Sequence, residues 1–356
     1  MLAYLLPPIA PVVSSLKGQS LAVSNRLGVS RLVGRSSWRR RRLLILCYHG
    51  ISLSDEHQWN SALYMSPAML AGRLSALRRC DCTVLPLGEA VDRLYTNTLP
   101  ERAVALTFDD GYYDFLARAY PLLQEYGYAA TVYLPTLRCE HNFPVVNVLV
   151  SYMLWQKRAS TLTAPEVPGL GREAYPLATR EQRAFVLKKI NQAIEPVDPE
   201  PAERDDIART IARRLGLEYD AFAGRRVLTL MSPREVSELA RQGVDFQLHT
   251  HRHRTPENDE RFVQEIRENR ERIESMTGKP AVHFCYPSGV YRASYLPLLR
   301  AEHVVSATTT RPGIADPSRD PLLLPRFVDT GTVTSAEFEA WLHGIMPWLQ
   351  AELQSR

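Results

Sequence analysis

Val104-Ala-Leu-Thr-Phe-Asp-Asp-Gly111 is the stretch whose reading decides this chain. An apolar run of strand length ends in two adjacent carboxylates and a glycine, the pattern by which a buried strand delivers acids to the mouth of a site. Neighbouring residues on a strand point to opposite faces. Asp109 and Asp110 are therefore able to do different work if the chain turns there, and Gly111 permits the turn. Taken alone, the stretch fits equally well a strand end with two solvated acids.

The flanking sequence places that strand in a sheet. Leu43-Leu-Ile-Leu-Cys-Tyr48 is another unbroken apolar run, suited to a strand buried on both faces of a parallel sheet, and His49 stands at its end. A lone histidine there is more often a structural hydrogen-bonder than a catalyst. Further strand patterns occur around Val84 and at Ala129–Leu134, Val244–Leu248, Ala281–Tyr286, Val304–Thr308 and Leu322–Arg326. Helical patterns separate them. Ser66-Pro67 opens one, Asp114–Tyr126 carries Pro121 and should kink or break there, Ser232–Glu235 is a capping box, and Asp259–Met276 is long and closed by Gly278. Strand, helix and strand at this spacing mean crossover units and a parallel sheet. The alternation stops over 141–230, where helices dominate at Val146–Trp155, Arg180–Ile194 and Arg204–Leu215. This part reads as a helical insertion, either covering a sheet edge or forming a lid or substrate wall. Residues 1–42 read as a basic peripheral segment, helical around Leu21–Val33, and Ser335–Leu353 as a closing helix within 331–356.

With 45% hydrophobic and 23% charged residues among 356, the chain has a soluble globular composition. The net charge of +4 is local in origin, since Arg35, Arg39, Arg40, Arg41 and Arg42 lie together. No aromatic-interleaved basic stripe accompanies them, so nucleic acid is not an expected partner. The patch suits an anionic membrane surface or acidic glycans. Five cysteines are an odd number, two of them (Cys47 and Cys285) sit in apolar runs, and Cys80-Asp-Cys82 lacks the second pair a structural zinc needs. That usage fits a reducing compartment. The apolar start is broken by Pro7, Pro8 and Pro11 and lacks a positive n-region, unlike a membrane span or a standard secretory signal. The expected location is the cytoplasm, with peripheral contact at the inner membrane face through 1–42. The sequence says nothing about oligomeric state.

A second polar cluster, His249-Thr-His-Arg-His253, follows a strand directly and holds three of the chain's nine histidines. The C-terminal ends of parallel strands are where α/β folds place their sites. On a helical turn His249 and His253 share a face, and a tight loop would also bring them together. Two imidazoles and one carboxylate are a usual set for a catalytic divalent metal. Asp110 is the natural third ligand, which leaves Asp109 as a base. Zinc suits the set, and iron, cobalt or nickel also fit it.

Thr107-Phe-Asp-Asp-Gly111 and His249-Thr-His-Arg-His253 resemble the first two motifs, T-F-D-D-G and H-[ST]-x-x-H, of the NodB-like polysaccharide deacetylases, carbohydrate esterase family four. The resemblance covers roughly 43–140 and 231–330. It implies a distorted (β/α) barrel and hydrolysis of N-acetyl groups on the sugars of a polysaccharide or glycan precursor. Carried over, Asp109 is the base that activates the attacking water, and Asp110, His249 and His253 hold a divalent metal, zinc first. The family's third motif, R-x-P-Y, is altered. In Phe284-Cys-Tyr-Pro-Ser-Gly289, Cys285 stands for the arginine and Ser288 for the tyrosine. This is similar to the F-x-Y-P-x-G branch that includes poly-N-acetylglucosamine deacetylases, whose general acid is a histidine after the first strand. The resemblance therefore assigns the acid to His49. It gives Tyr286 and Pro287 an oxyanion and substrate-binding role and leaves Arg326 as the candidate that orients Asp109. The same residues would serve on an O-acetyl ester or an N-formyl group of a lipid-linked sugar, and a non-catalytic glycan-binding relative is the other alternative.

Overall fold

The computed structural model describes residues 34, 36–140, 144–194 and 201–346. The helix expected at Leu21–Val33 lies outside the described residues, as does Arg35.

Eight strands form one sheet in which every pairing is parallel: β1 (Leu44–Tyr48), β2 (Thr83–Val84), β3 (Ala103–Asp109), β4 (Thr131–Leu134), β5 (Asp245–Leu248), β6 (His283–Cys285), β7 (Ser306–Thr308) and β8 (Phe327–Val328). Their spatial order is β7-β6-β5-β4-β3-β1-β8, with β2 against the start of β3. The segment before β8 joins the two edges. Leu324 bridges Thr308 in parallel, its N–H donating to Ala307 O and its carbonyl accepting from Thr309, both at 2.9 Å. The result is the distorted barrel expected from the motifs. The strand expected at Leu322–Arg326 begins later, at Phe327, because Pro325 has no N–H to continue a ladder.

Strand alternation sorts the side chains. Leu43 and Ile45 from β1 and its lead-in share an interior cluster with Ala103 and Ala105 of β3, Tyr133, Cys285 and Leu324. Leu44, Leu46, Leu106 and Phe108 pack outward under the helices. Continuing the inward period, Cys47, Thr107 and Asp109 point into the barrel. Asp109 thus reaches the interior at 4% exposure.

The main helices are α1 (Pro67–Arg79), α2 (Leu87–Tyr95), whose Leu87, Ala90, Val91 and Leu94 join the interior cluster, α3 (Tyr120–Tyr126), α4 (Val146–Gln156), α5 (Arg180–Ile194), α6 (Pro201–Arg214), α7 (Tyr219–Gly224), α8 (Pro233–Arg241), α9 (Asp259–Thr277), α10 (Tyr295–Ala301) and α11 (Ser335–His343). The break expected at Pro121 takes the form of a π turn, Phe115–Ala119, that leads into α3. A proline cannot donate back to the preceding turn, and the wider turn absorbs the lost bond. The closing helix expected at Ser335–Leu353 is interrupted within the described residues, and its part beyond Met346 lies outside them. The interruption falls at Gly344 (φ +81), where a Cβ would stand 2.9 Å from Arg39 Cδ and Trp38 Cζ3.

Helices α4–α7 and a small ribbon (Thr161–Leu162 with Tyr175–Pro176) make up the inserted part. It leaves and rejoins the barrel where Pro144 bridges Thr229. It packs on the loop after β1, with the Tyr152 ring tilted against Trp59 at 5.4 Å and its hydroxyl donating to the Asp55 carboxylate.

One arginine of the run is built into the structure. Arg39 is fully buried and donates to the carbonyls of Leu342, Arg42 and Ala103, at 3.2, 2.6 and 3.2 Å. Arg40 pairs with Glu101 at 2.9 Å, and Arg42 lies over the Trp38 ring. Arg39 thus fastens the N-terminal turn Ser37–Arg40 to the barrel, while Arg40 and Arg41 stay exposed. No helix among the described residues is long and apolar enough to cross a membrane. None of the five cysteines is in a disulfide.

Candidate active site

The site gathers at the C-terminal rim of β1, β3, β5 and β6. Asp109 ends β3 facing inward, and Asp110 would face outward if the strand continued. Asp110 instead adopts φ +71 and Gly111 follows at φ +67, so the chain reverses and Asp110 rejoins the rim. The left-handed region is uncommon outside glycine, with aspartate among the residues that tolerate it. The turn is held from outside by the returning insertion, as Met231 N–H donates to Gly111 O at 3.0 Å and Tyr113 N–H to Thr229 O at 2.8 Å.

After β5, the His249–His253 loop makes a tight turn with Thr250 at φ +59 and His253 at φ +55. Thr250 Oγ1 accepts from Arg254 N–H at 3.0 Å and so holds the loop. Both imidazoles then converge on one carboxylate oxygen, with His249 Nε2 3.4 Å and His253 Nε2 3.2 Å from Asp110 Oδ1. The three donor atoms lie within 4.8 Å of one another. His249 Nδ1 donates to Cys285 O at 2.8 Å, which fixes the tautomer with the Nε2 lone pair turned inward. One oxygen and two imidazole nitrogens, oriented in this way, fit a divalent cation.

Asp109 is held differently. Arg326 is fully buried, and its guanidinium donates from Nη1 to Oδ1 and from Nη2 to Oδ2, each at 2.7 Å. Its remaining hydrogens go to Thr309 O at 3.1 Å, Thr107 Oγ1 at 3.2 Å and Cys285 Sγ at 3.1 Å. Cys285, at the position of the expected arginine, is small enough to leave room for a guanidinium arriving from the other side of the barrel. Burial raises the Asp109 pKa, but Arg326 outweighs it and holds the carboxyl well below the usual range. Asp110 is likewise raised by burial and brought down further by His253 and His249.

His49 Nε2 lies 3.9 Å from Asp109 Oδ2, and the ring is partly exposed. Burial lowers its pKa, and Asp109 and Asp110 oppose that without cancelling it. The oxyanion expectation for Tyr286 requires correction. Its N–H already donates to Thr308 O at 3.2 Å, in the ladder between β6 and β7, and its hydroxyl donates to Leu322 O at 3.0 Å. Pro287 has no N–H. The next donor is Ser288, exposed at φ +56, whose N–H makes no hydrogen bond among the described residues.

A model of the polysaccharide deacetylase family matches residues 96–304, more than half of the chain. The chain belongs to the polysaccharide deacetylase family. It is accordingly a hydrolytic deacetylase, and the match takes in both the acid pair and the histidine loop. Among solved structures, the deacetylase PplD of Streptococcus pyogenes, in complex with acetate, is 18% identical over 83% of this chain and 96% of its own, with a TM-score of 0.55. IcaB from Ammonifex degensii is 17% identical over 85% of this chain and 97% of its own, and a Bacillus cereus polysaccharide deacetylase is 18% identical over 85% and 69%, both with TM-scores of 0.53. At these identities the likeness is one of fold. No curated protein matches the chain.

Asn269 on α9 is part of the deacetylase site that sequence reading passed over. It is fully buried, accepts from His249 N–H at 2.8 Å, and donates to Leu134 O at 2.9 Å and Thr136 Oγ1 at 3.0 Å. A signal was present. Phe262, Ile266, Asn269 and Ile273 form the buried stripe of α9, and an amide on an apolar stripe has to be bonded to something specific.

Proposed function

We propose that this deacetylase removes N-acetyl groups from N-acetylated sugars of a glycan. Asp109 acts as base, His49 as acid, and Asp110, His249 and His253 hold a divalent cation, most suitably zinc. The observation that carries the reading is the division of two adjacent carboxylates. One is clasped by a buried arginine and the other is met by two imidazoles. A divalent cation bound to that trio would lower the pKa of water and polarise the acetyl carbonyl.

The remaining steps belong to the chain's own groups. Asp109, kept below the ordinary carboxylate range, stays ionised across neutral pH and accepts the proton of the attacking water. Arg326 fixes both of its oxygens, so the direction of that transfer is set before substrate arrives. An amine leaves an amide only when protonated, and His49 stands within 3.9 Å of the base to supply that proton. Its lowered pKa makes it a readier donor but reduces its protonated share at neutral pH. Activity is therefore expected to fall as pH rises through the lowered imidazole pKa. The Ser288 N–H, in place of Tyr286, is the backbone donor assigned to the developing oxyanion.

The test is acetate and formate release from N-acetyl, N-formyl and O-acetyl sugars, with and without chelator and added zinc, cobalt or nickel. Chelator-sensitive acetate release from an N-acetylated glycan is the expected result. Release confined to formate or to O-acetyl esters overturns the substrate assignment.

A further inference from the structure

Asp114 is buried at 4% exposure, four residues beyond Asp110, and has no role in the chemistry above. Its Oδ1 accepts the N–H of Ile51 at 3.1 Å. Ile51 is two residues past His49, in a short ribbon in which Gly50–Ile51 pairs with Tyr64–Met65. The ribbon uses the N–H groups on either side, Gly50 to Leu63 O and Ser52 to Met65 O, both at 3.0 Å. The Ile51 N–H points the other way, into the protein, where Asp114 meets it. The backbone leaving His49 is thus held on one edge by the ribbon and on the other by this carboxyl. Before His49 the chain is fixed by β1, with Tyr48 opposite Phe108 of β3.

We propose that Asp114 is a positioning residue for His49, tying the segment that carries the acid to the segment that carries Asp109 and Asp110. The inference rests on the reading of His49 as the acid. The link is short and local. One turn bears the base, the cation ligand and, at its end, the acceptor that keeps His49 at 3.9 Å from the base. Burial pushes the Asp114 carboxyl well above the usual range, the Ile51 N–H opposes this, and Glu56 and Asp110 add to it. A carboxyl in that state is mimicked by asparagine, which accepts the same bond.

The experiment compares Asp114→Asn, Asp114→Ala, His49→Ala and the double alanine variant on two substrates, a β-1,6-linked N-acetylglucosamine pentamer and 4-nitrophenyl acetate. Nitrophenolate leaves without a proton, so a fault in acid delivery affects the amide and spares the ester. Losing a general acid typically costs about 100-fold or more, and misplacing one by about 1 Å costs about 100-fold. Asp114→Ala is expected to lose roughly 10- to 100-fold in kcat on the amide, with the ester rate and zinc affinity close to wild type. Asp114→Asn should retain both activities. The double variant should be no slower on the amide than His49→Ala, because the two substitutions remove one function. If the alanine variant unfolds, Asp114→Val, which also lacks an acceptor, is read in the same way. Equal losses on both substrates, an asparagine variant as impaired as the alanine, or fully additive losses would overturn the proposal. If His49→Ala itself falls equally on both substrates, the acid reading fails and the inference fails with it.

Discussion

Replacing Arg326 by methionine removes the cation from a pair that is buried on both sides, with Arg326 at 0% and Asp109 at 4% exposure. Two 2.7 Å charge-assisted bonds disappear while the Asp109 carboxylate stays inside the barrel. Breaking a buried pair from one side costs about 3–5 kcal/mol, a large part of the roughly 5–15 kcal/mol that holds an ordinary domain together. The pH dependence should change sign as well. In the wild type the Asp109 pKa is depressed on folding, so its contribution is present above the unfolded carboxylate value and is lost as pH falls towards the folded one. Without Arg326 the burial contribution, which raises the pKa, becomes the larger one. Stability should then be greatest at acid pH and decline as pH rises through the new value. Urea unfolding of Arg326→Met, Asp109→Asn and the double variant between pH 4 and 8 reads both effects, and the double variant should recover part of the loss and flatten the pH response. An Arg326→Met protein within about 1 kcal/mol of wild type at pH 7 would refute the reasoning, because no buried pair of this geometry is expected to be so weak.

Asn269→Leu removes the acceptor for His249 N–H and should weaken zinc binding about 10- to 100-fold by competitive titration, as loss of a group behind a ligand usually does. Arg39→Met deletes three bonds to carbonyls from a fully buried side chain whose pKa burial lowers to about 10. A loss of about 2–4 kcal/mol in urea unfolding is expected, at about 1 kcal/mol per bond, with the acetate-release rate of the folded protein unchanged. Gly344→Ala combines φ +81 with a Cβ 2.9 Å from Arg39 and Trp38, and should lower stability by about 1–3 kcal/mol in the same assay.

The parts of this molecule legible in the sequence are those encoded by local pattern. Apolar runs ending at Asp109 and Leu248 mark strand ends at the rim, and inward alternation from Leu43 to Cys47 and from Ala103 to Asp109 is visible once the strands are paired. Arg326 was traceable because it follows a strand-like run ending in Pro325, although β8 itself starts only at Phe327. The parts that were not legible depend on distant partners. Arg39 reads as one charge among five, and only the fold brings it to the carbonyls of Leu342 and Ala103. The Tyr286 N–H reads as a loop donor, but its use depends on the register of β6 and β7, which extends to Thr308. Asp114 looks like a surface acid at a helix start, and its bond to Ile51 appears only when two turns from separate strands are laid side by side.

The separation of Asp109 from Asp110 is tested most directly by measuring bound zinc and acetate release together in Asp109→Asn and His253→Ala. Asp109→Asn should hold one zinc per chain and release acetate at least about 100-fold more slowly than wild type, whereas His253→Ala should lose the zinc as well. Wild-type-like acetate release by Asp109→Asn, or unaltered zinc binding by His253→Ala, would contradict the account.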